Sequence, residues 1–349
     1  MEGEGGRRIG LVVNPAAGRG AGRRVGVDVA RALDEAGHVL VGLSALSAED
    51  ALAQVGHALA EGLDALVVVG GDGMVHLGVQ ALAGTQVPLG IIPVGTGNDF
   101  AAAAGIPRDT AGAVSILLRG LRRGGRSVDL LRVTGGGVDR APGVRDSGGG
   151  VLGGTRWVAG AVSAGLDAAV NARANGMRWP HGSARYVLAA LREIFAYRSW
   201  DYALEATGVT VARDGRGRTS FPGMRLGDAE AGGAGALRWK SRGALVTAAN
   251  GRSIGGGIRI APSARVDDGL LDLVMARDVG RLTAARLFPL MLLGAHLRSR
   301  HLRAVRARKV TVRSGRADAA TPPVYGDGEP IGTLPIQVEV FPGSLTLLA

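Results

Sequence analysis

Three glycine-rich turns constrain this chain more than any other feature of it. Each follows an apolar run of strand type and precedes a helical pattern. They are Asn14-Pro15-Ala16-Ala17-Gly18-Arg19-Gly20, Gly70-Gly71-Asp72-Gly73 and Gly95-Thr96-Gly97-Asn98-Asp99-Phe100. The runs before them, Arg8 to Val13, Leu63 to Val69 and Pro88 to Ile92, are rich in Ile, Leu and Val. Val39 to Leu43 reads as a further short strand, and helical spacing of apolar residues spans 22–35, 48–61 and 74–82. Near-continuous apolar strands alternating with helices predict a parallel sheet covered on both faces. In such a sheet, ligands bind at the carboxyl ends of the strands. Glycine there lets the backbone approach a phosphate, and the next helix offers free N–H groups and the positive end of its dipole. One such turn is weak evidence, because tight turns use glycine for steric reasons alone. Three of them point to one shared crevice.

Beyond Asp129 the pattern changes. Thr155 to Ser163, Trp200 to Ala212, Ala244 to Ala248, Leu270 to Ala276 and Arg308 to Val312 read as strands separated by turns, which predicts a mostly antiparallel second domain. One helix, 183–197, interrupts it. Residues 135–154 and 213–236, rich in Gly and charge, read as flexible insertions. A second helix is expected over 280–298, with Pro289 kinking or breaking it. It is followed by the basic run Arg298, Arg300, Arg303, Arg306, Arg308 and Lys309. Such a helix beside arginines could lie on an anionic membrane surface. The preferred reading is a core helix followed by a solvated edge strand.

Composition removes several classes of function. The 349 residues, 46% apolar, are enough for two cores. Cysteine is absent, so disulfides, thiolate metal sites and cysteine nucleophiles are excluded. The 59 glycines follow no period. The start, Met-Glu-Gly-Glu-Gly-Gly-Arg-Arg, has no apolar centre and is not expected to be a signal peptide. No apolar stretch reaches the ~18 residues of a membrane-spanning helix. The net charge of +11 favours polyanions, but solvated arginines would give the same number. Aromatic content of 4% argues against a base-stacking platform, so nucleic acid is the last-ranked partner. There is no G-x-x-x-x-G-K-[ST] loop, no protein-kinase catalytic loop, no G-x-S-x-G elbow and no H-E-x-x-H pair.

A fourth signal, Tyr325-Gly326-Asp327-Gly328-Glu329-Pro330, is on its own a plain hairpin turn. Together with the other three it resembles the diacylglycerol kinase catalytic family, which includes sphingosine and ceramide kinases and bacterial lipid kinases. Asn14-Pro15 with Gly18 is similar to the family's N-P-x-x-G turn. Gly70 to Gly73 matches G-G-D-G, and Pro93 to Ala101 resembles G-T-x-N-D-F-A. Ser127-Val128-Asp129, Gly182 to Tyr197, Asn250-Gly251 through Asp268-Gly269, and Asp327-Gly328-Glu329 resemble its later signatures, so the likeness runs over nearly the whole chain.

The resemblance implies an α/β nucleotide-binding domain over 1–130, a β-sandwich over 131–322 and C-terminal strands, 323–349, returning to the first domain. It implies ATP-dependent phosphorylation of a lipid hydroxyl, with diacylglycerol as the default acceptor. Asp327 would be the general base and Glu329 would contact the nucleotide. Asp72 would face the phosphates and hold Mg²⁺. Asn14, Pro15, Gly18, Gly70, Gly71, Gly73, Gly95, Thr96 and Asn98 would line the nucleotide site. A cytoplasmic enzyme, peripheral at the inner membrane face, follows from the same likeness, and a homodimer is among the states it allows. Met74 stands where a small polar residue is usual, Val75-His76-Leu77 replaces the common V-N-E, and Ala102 stands where arginine often follows. These departures keep a weakly catalytic lipid or nucleotide sensor as an alternative, beside a sphingoid-base or other long-chain alcohol kinase and an NAD kinase.

Overall fold

The computed structural model describes residues 6–43, 47–135, 138, 154–177, 179–180, 182–210, 221–227, 235–316 and 320–349. Strands β1 (Arg8–Val13), β2 (Val39–Leu43), β3 (Ala65–Gly70) and β4 (Leu89–Pro93) alternate with helices α1 (Ala21–Glu35), α2 (Ala48–Ala60) and α3 (Asp72–Leu82). The four strands pair in parallel in the order β2-β1-β3-β4. Burial of consecutive residues along β3, with Leu66 to Val69 at 0% exposure, requires cover on both faces. α1 buries Val25, Val29 and Leu33, one stripe at helical spacing. Gly26 lets it lie close to the sheet, since a Cβ there would stand 2.8 Å from Val13 Cγ1. Ser47 caps α2 by accepting from Asp50 N at 3.1 Å. Two helices not expected from the sequence, α4 (Asp99–Ala103) and α5 (Thr110–Arg123), follow β4.

The remaining strands are β5 (Arg126–Thr134), β6 (Thr155–Val158), β7 (Ala161–Gly165), β8 (Trp200–Val209), β9 (Met224–Leu226), β10 (Gly235–Ala249), β11 (Leu271–Arg277), β12 (Leu302–Ala307), β13 (Lys309–Ser314), β14 (Pro323–Gly326), β15 (Glu329–Thr333) and β16 (Ile336–Leu347). They pair antiparallel with one another. β16 then runs beside β4 in parallel, Leu347 opposite Leu89, and Leu348 N donates to Leu89 O at 2.9 Å. The last strand thus welds the parallel and antiparallel parts into one sheet. Helices α6 (Leu166–Gly176), α7 (Ser183–Phe195) and α8 (Arg281–Leu293) pack around the antiparallel part.

Four expectations need correction. Thr155 to Ser163 is not one strand. It breaks at Ala159-Gly160, where the backbone N–H groups turn to a carboxylate instead of a neighbouring strand. The stretch 213–236 is not simply an insertion, because Met224–Leu226 pairs with β10, which itself begins at Gly235. Residues 213–220 and 228–234 of that stretch, and most of 135–154, lie outside the described residues. α6 was not expected, because its sequence LDAAVNARANG carries too few large apolar residues to show a stripe. Finally, α8 is no core helix. It buries Ala284 and Phe288 but leaves Leu282 and Leu293 77% and 72% exposed, and it continues through Pro289. Half of the basic run after it is occupied: Arg303 is buried, Arg306 pairs with Asp268, and Lys309 faces Glu339 at 3.9 Å, while Arg298, Arg300 and Arg308 are exposed.

Candidate active site

The turn after β1 is held by its own asparagine. Asn14 Oδ1 accepts from Ala16 N at 3.0 Å, and Asn14 N donates to Val69 O at 3.0 Å. Gly18 and Arg19 both take left-handed backbone (φ 58° and 60°). Gly18 is required there, since a Cβ would fall 2.6 Å from Val94 O. The turns after β3 and β4 touch glycine to glycine, and a Cβ on Gly95 would stand 2.6 Å from Gly71 Cα. Asp72, the first residue of α3, binds the third turn. Its Oδ2 accepts from Asn98 N at 2.9 Å and its Oδ1 from Asp99 N at 2.8 Å.

The second half of the chain closes over these turns. Asp99 Oδ2 accepts from Gly256 N at 2.7 Å, in a loop where Gly255, Gly256 and Gly257 all have positive φ. The fourth turn is a two-residue hairpin between β14 and β15, with Asp327 and Gly328 at φ 51° and 86°, as such a turn requires. The Asp327 carboxylate reaches the break between β6 and β7. Oδ2 accepts from Ala159 N at 2.8 Å, and Oδ1 accepts from Gly160 N at 2.7 Å and Ala161 N at 3.2 Å.

The four turns enclose a cleft of about 960 Å³. Of the residues singled out in the sequence, Gly18, Gly71, Asp72, Gly73, Gly95, Thr96, Asp327 and Glu329 line it. Asn14, Pro15, Gly70 and Asn98 do not. Asn98, 5% exposed, serves the wall from behind by donating from Nδ2 to Gly95 O at 2.6 Å. The cleft also takes residues the sequence reading assigned no role: Arg19, Asp99, Asn171, Asn175, Arg185 and Tyr186. Asp99 and Gly255 to Gly257 stood inside quoted motifs. Arg185 and Tyr186 of α7 likewise lie within the quoted segment Gly182 to Tyr197, whereas Asn171 and Asn175 come from α6, which had no signal to find them by.

Burial, then repulsion from Asp99 and Asp327, pushes the Asp72 carboxyl up to about 6, and burial also raises Asp99. A cation in the cleft would relieve this crowding of carboxylates. Among the described residues no group of three or more His, Cys, Asp or Glu is arranged to hold a metal by itself. That donor set suits Mg²⁺, which binds through one or two carboxylates while phosphate and water oxygens complete its shell.

A second, apolar cavity of about 70 Å³ adjoins the cleft, between β10, β11 and helices α6, α7 and α8. Asn171, Tyr186, Ile254 and Gly255 line both spaces. Its far wall is Leu287, Phe288 and Met291 of α8. Among the described residues no helix is long and apolar enough to cross a membrane.

The family model for the diacylglycerol kinase catalytic domain matches residues 8–133. That for the YegS C-terminal NAD kinase beta sandwich-like domain matches residues 160–349. A diacylglycerol kinase of Mycobacterium tuberculosis is 32% identical over 344 residues, covering 98% of this chain and 94% of that one. A protein of Xanthomonas euvesicatoria pv. vesicatoria named "Probable lipid kinase YegS-like" is 27% identical over 305 residues, 85% of this chain and 82% of that one. A crystal structure of a diacylglycerol kinase from Bacillus anthracis str. Sterne superposes with a TM-score of 0.64 at 18% identity, covering 99% of this chain and 98% of that chain, and so shares the fold.

Proposed function

The chain belongs to the diacylglycerol kinase family of lipid kinases, and from that premise we propose that it transfers the γ-phosphoryl group of ATP to a hydroxyl of diacylglycerol. The observation that carries this reading is the adjacency of the two spaces. A cleft of glycine turns and carboxylates shares Asn171, Tyr186, Ile254 and Gly255 with an apolar cavity suited to an acyl chain.

Phosphoryl transfer needs positioning and charge neutralisation more than covalent help from the protein. The turns at Gly18, Gly71 to Gly73 and Gly95 to Thr96 bring backbone N–H groups to the phosphates, with Arg19 on the same wall and Arg185 of α7 as a second cation lining the cleft. Asp72 would hold Mg²⁺, which when bound supplies charge neutralisation at the β- and γ-phosphates. Glu329 stands over Gly73, its Oε1 3.9 Å from where a Cβ there would lie, and serves the nucleotide side. Asp327 is the general base. Three backbone donors fix its carboxylate, and Oδ2, which accepts only one of them, is the oxygen left to take the lipid proton, a role that contributes ~10²- to 10⁴-fold. The acyl chain enters between α7 and α8. The cavity is narrow, so a bound chain must part these helices. Their exposed apolar residues, Leu191, Phe195, Leu282 and Leu293, beside Arg192, Arg281 and Arg286, give the face that would meet an anionic membrane while the lipid is taken up.

The departures at 74 and 102 do not weigh against activity. Met74 packs into the core against Gly70, and Ala102 is exposed on α4, so neither lines the cleft. The test is label transfer from γ-labelled ATP with Mg²⁺ to diacylglycerol, monoacylglycerol, sphingosine, ceramide and NAD in mixed micelles. Label on diacylglycerol, lost in Asp327→Asn, is expected. Label on NAD alone, or on a sphingoid base alone, would move the assignment to that acceptor.

A further inference from the structure

His76 stands one turn after Asp72 on α3, behind the cleft wall rather than on it. Its Nδ1 lies 3.7 Å from Asp327 Oδ2. The two side chains are only 12% and 9% exposed, and Nδ1 is buried without a hydrogen-bond partner among the described residues. A buried imidazole nitrogen with nothing to bind is costly unless it has work to do. Meanwhile the Asp327 oxygens are unequal. Oδ1 accepts two backbone N–H groups and is full, whereas Oδ2 accepts one. The oxygen with spare capacity is the one that His76 faces.

We propose that His76 is the second member of the base, a proton relay that acts through Asp327. This rests on the reading of Asp327 given above. As the lipid oxygen bonds to the γ-phosphorus, its O–H bond breaks and the proton passes to Asp327 Oδ2. The P–O bond to ADP breaks and its electron pair stays on the β-phosphate oxygen. The proton then moves from Oδ2 to Nδ1, leaving a carboxylate beside an imidazolium. Closing the gap from 3.7 Å to a hydrogen bond of about 3.0 Å needs only a small side-chain rotation. The relay restores the carboxylate within the turnover and holds the proton on a partner of opposite charge, away from ADP; the imidazolium, 12% exposed, then loses it to water before the next lipid is bound.

The surroundings suit a proton acceptor. α3 itself supplies Asp72, α4 supplies Asp99, and the β14–β15 turn supplies Asp327 and Glu329, all acidic. β3 and β4 carry no titratable side chain, and Arg156 is the single one on β6. On α2, Glu49 and His57 are exposed and Asp50 accepts from Gln54. The charged groups around His76 are thus mostly carboxylates.

The experiment is single-turnover phosphoryl transfer at saturating Mg-ATP and diacylglycerol across pH, for wild type, His76→Asn, His76→Gln and Asp327→Asn, with melting temperatures and nucleotide affinity measured in parallel. Only an unprotonated Nδ1 can accept, so the pH dependence of the rate should differ between wild type and both His76 variants. Their rate should fall about tenfold or more, with nucleotide affinity unchanged. Asp72 keeps the same charged neighbours, Asp99 and Asp327, in wild type and both His76 variants, so its ionisation cancels in that comparison. An unchanged pH profile and rate in folded His76 variants, with Asp327→Asn inactive, overturns the relay alone. Asp327→Asn with the wild-type rate overturns the base and the relay together.

Discussion

The cleft and the apolar cavity beside it are walled with different material. The wall from the first half is a backbone surface: Gly18, Gly71 and Gly95 bring main chain against main chain at distances no side chain would allow. The apolar cavity from the second half is a side-chain surface, to which α6, α7, α8 and β10 contribute interchangeable Leu, Ile, Val, Met and Phe and β11 contributes Ala276. Backbone surfaces fix residue type at fixed positions, whereas apolar surfaces fix only volume and character. The first should fail abruptly when altered, and the second should change by degrees.

Gly95→Ala is the hardest test of that contrast. The new Cβ would lie 2.6 Å from Gly71 Cα and 2.8 Å from Asn98 Oδ1, so two turns must separate. Overpacking of this kind costs ~1–3 kcal/mol, and calorimetry should show nucleotide binding weakened about tenfold or more. A mild effect would mean that the glycine wall is as tolerant as the apolar one. Met291→Trp comes next. Filling the cavity should raise KM for long-chain diacylglycerol several-fold, spare a short-chain analogue, and leave nucleotide affinity unchanged. Equal effects on both lipids would remove the cavity from the account. The pair Leu282→Asp and Leu293→Asp should lower binding to anionic vesicles in a flotation assay while stability stays within ~0.5 kcal/mol, as for other exposed sites. The smallest effect concerns neither wall. Burial pushes the Asp272 carboxyl up to about 6 from 3.8, so the folded state binds its proton more tightly than the unfolded chain does. Its contribution is therefore greatest at low pH and is lost as pH rises through about 6. Denaturant titrations should show a shallower decline over that range in Asp272→Asn than in wild type.

The parallel half was legible because its signals are local. Unbroken apolar strands, stripes such as Val25, Val29 and Leu33, and glycine turns each lie within a few residues. α5 was missed although Asp109 caps it and Leu117 and Leu121 are buried along it. α6 was missed because small residues pack a helix as well as large ones do without marking a stripe. The break at Ala159-Gly160 could not be read at all, because its cause lies 167 residues away in Asp327. The same is true of His76. The sequence shows a histidine in an unusual place, but only the fold puts it beside Oδ2. Asn14 and Asn98 teach the converse: both stand in strong motifs, and both hold the wall rather than face the cleft.

The central claim is that an acyl chain occupies the cavity under α8 while its hydroxyl stands at Asp327. The direct measurement is photo-crosslinking with a diacylglycerol carrying a diazirine near the end of one chain, in the presence of a non-hydrolysable ATP analogue, followed by peptide mass spectrometry. The account predicts label on Leu287, Phe288 and Met291, and its loss in Met291→Trp. Label confined to the outer face of α8, at Leu282 and Leu293, or spread over the β-sandwich, would contradict it.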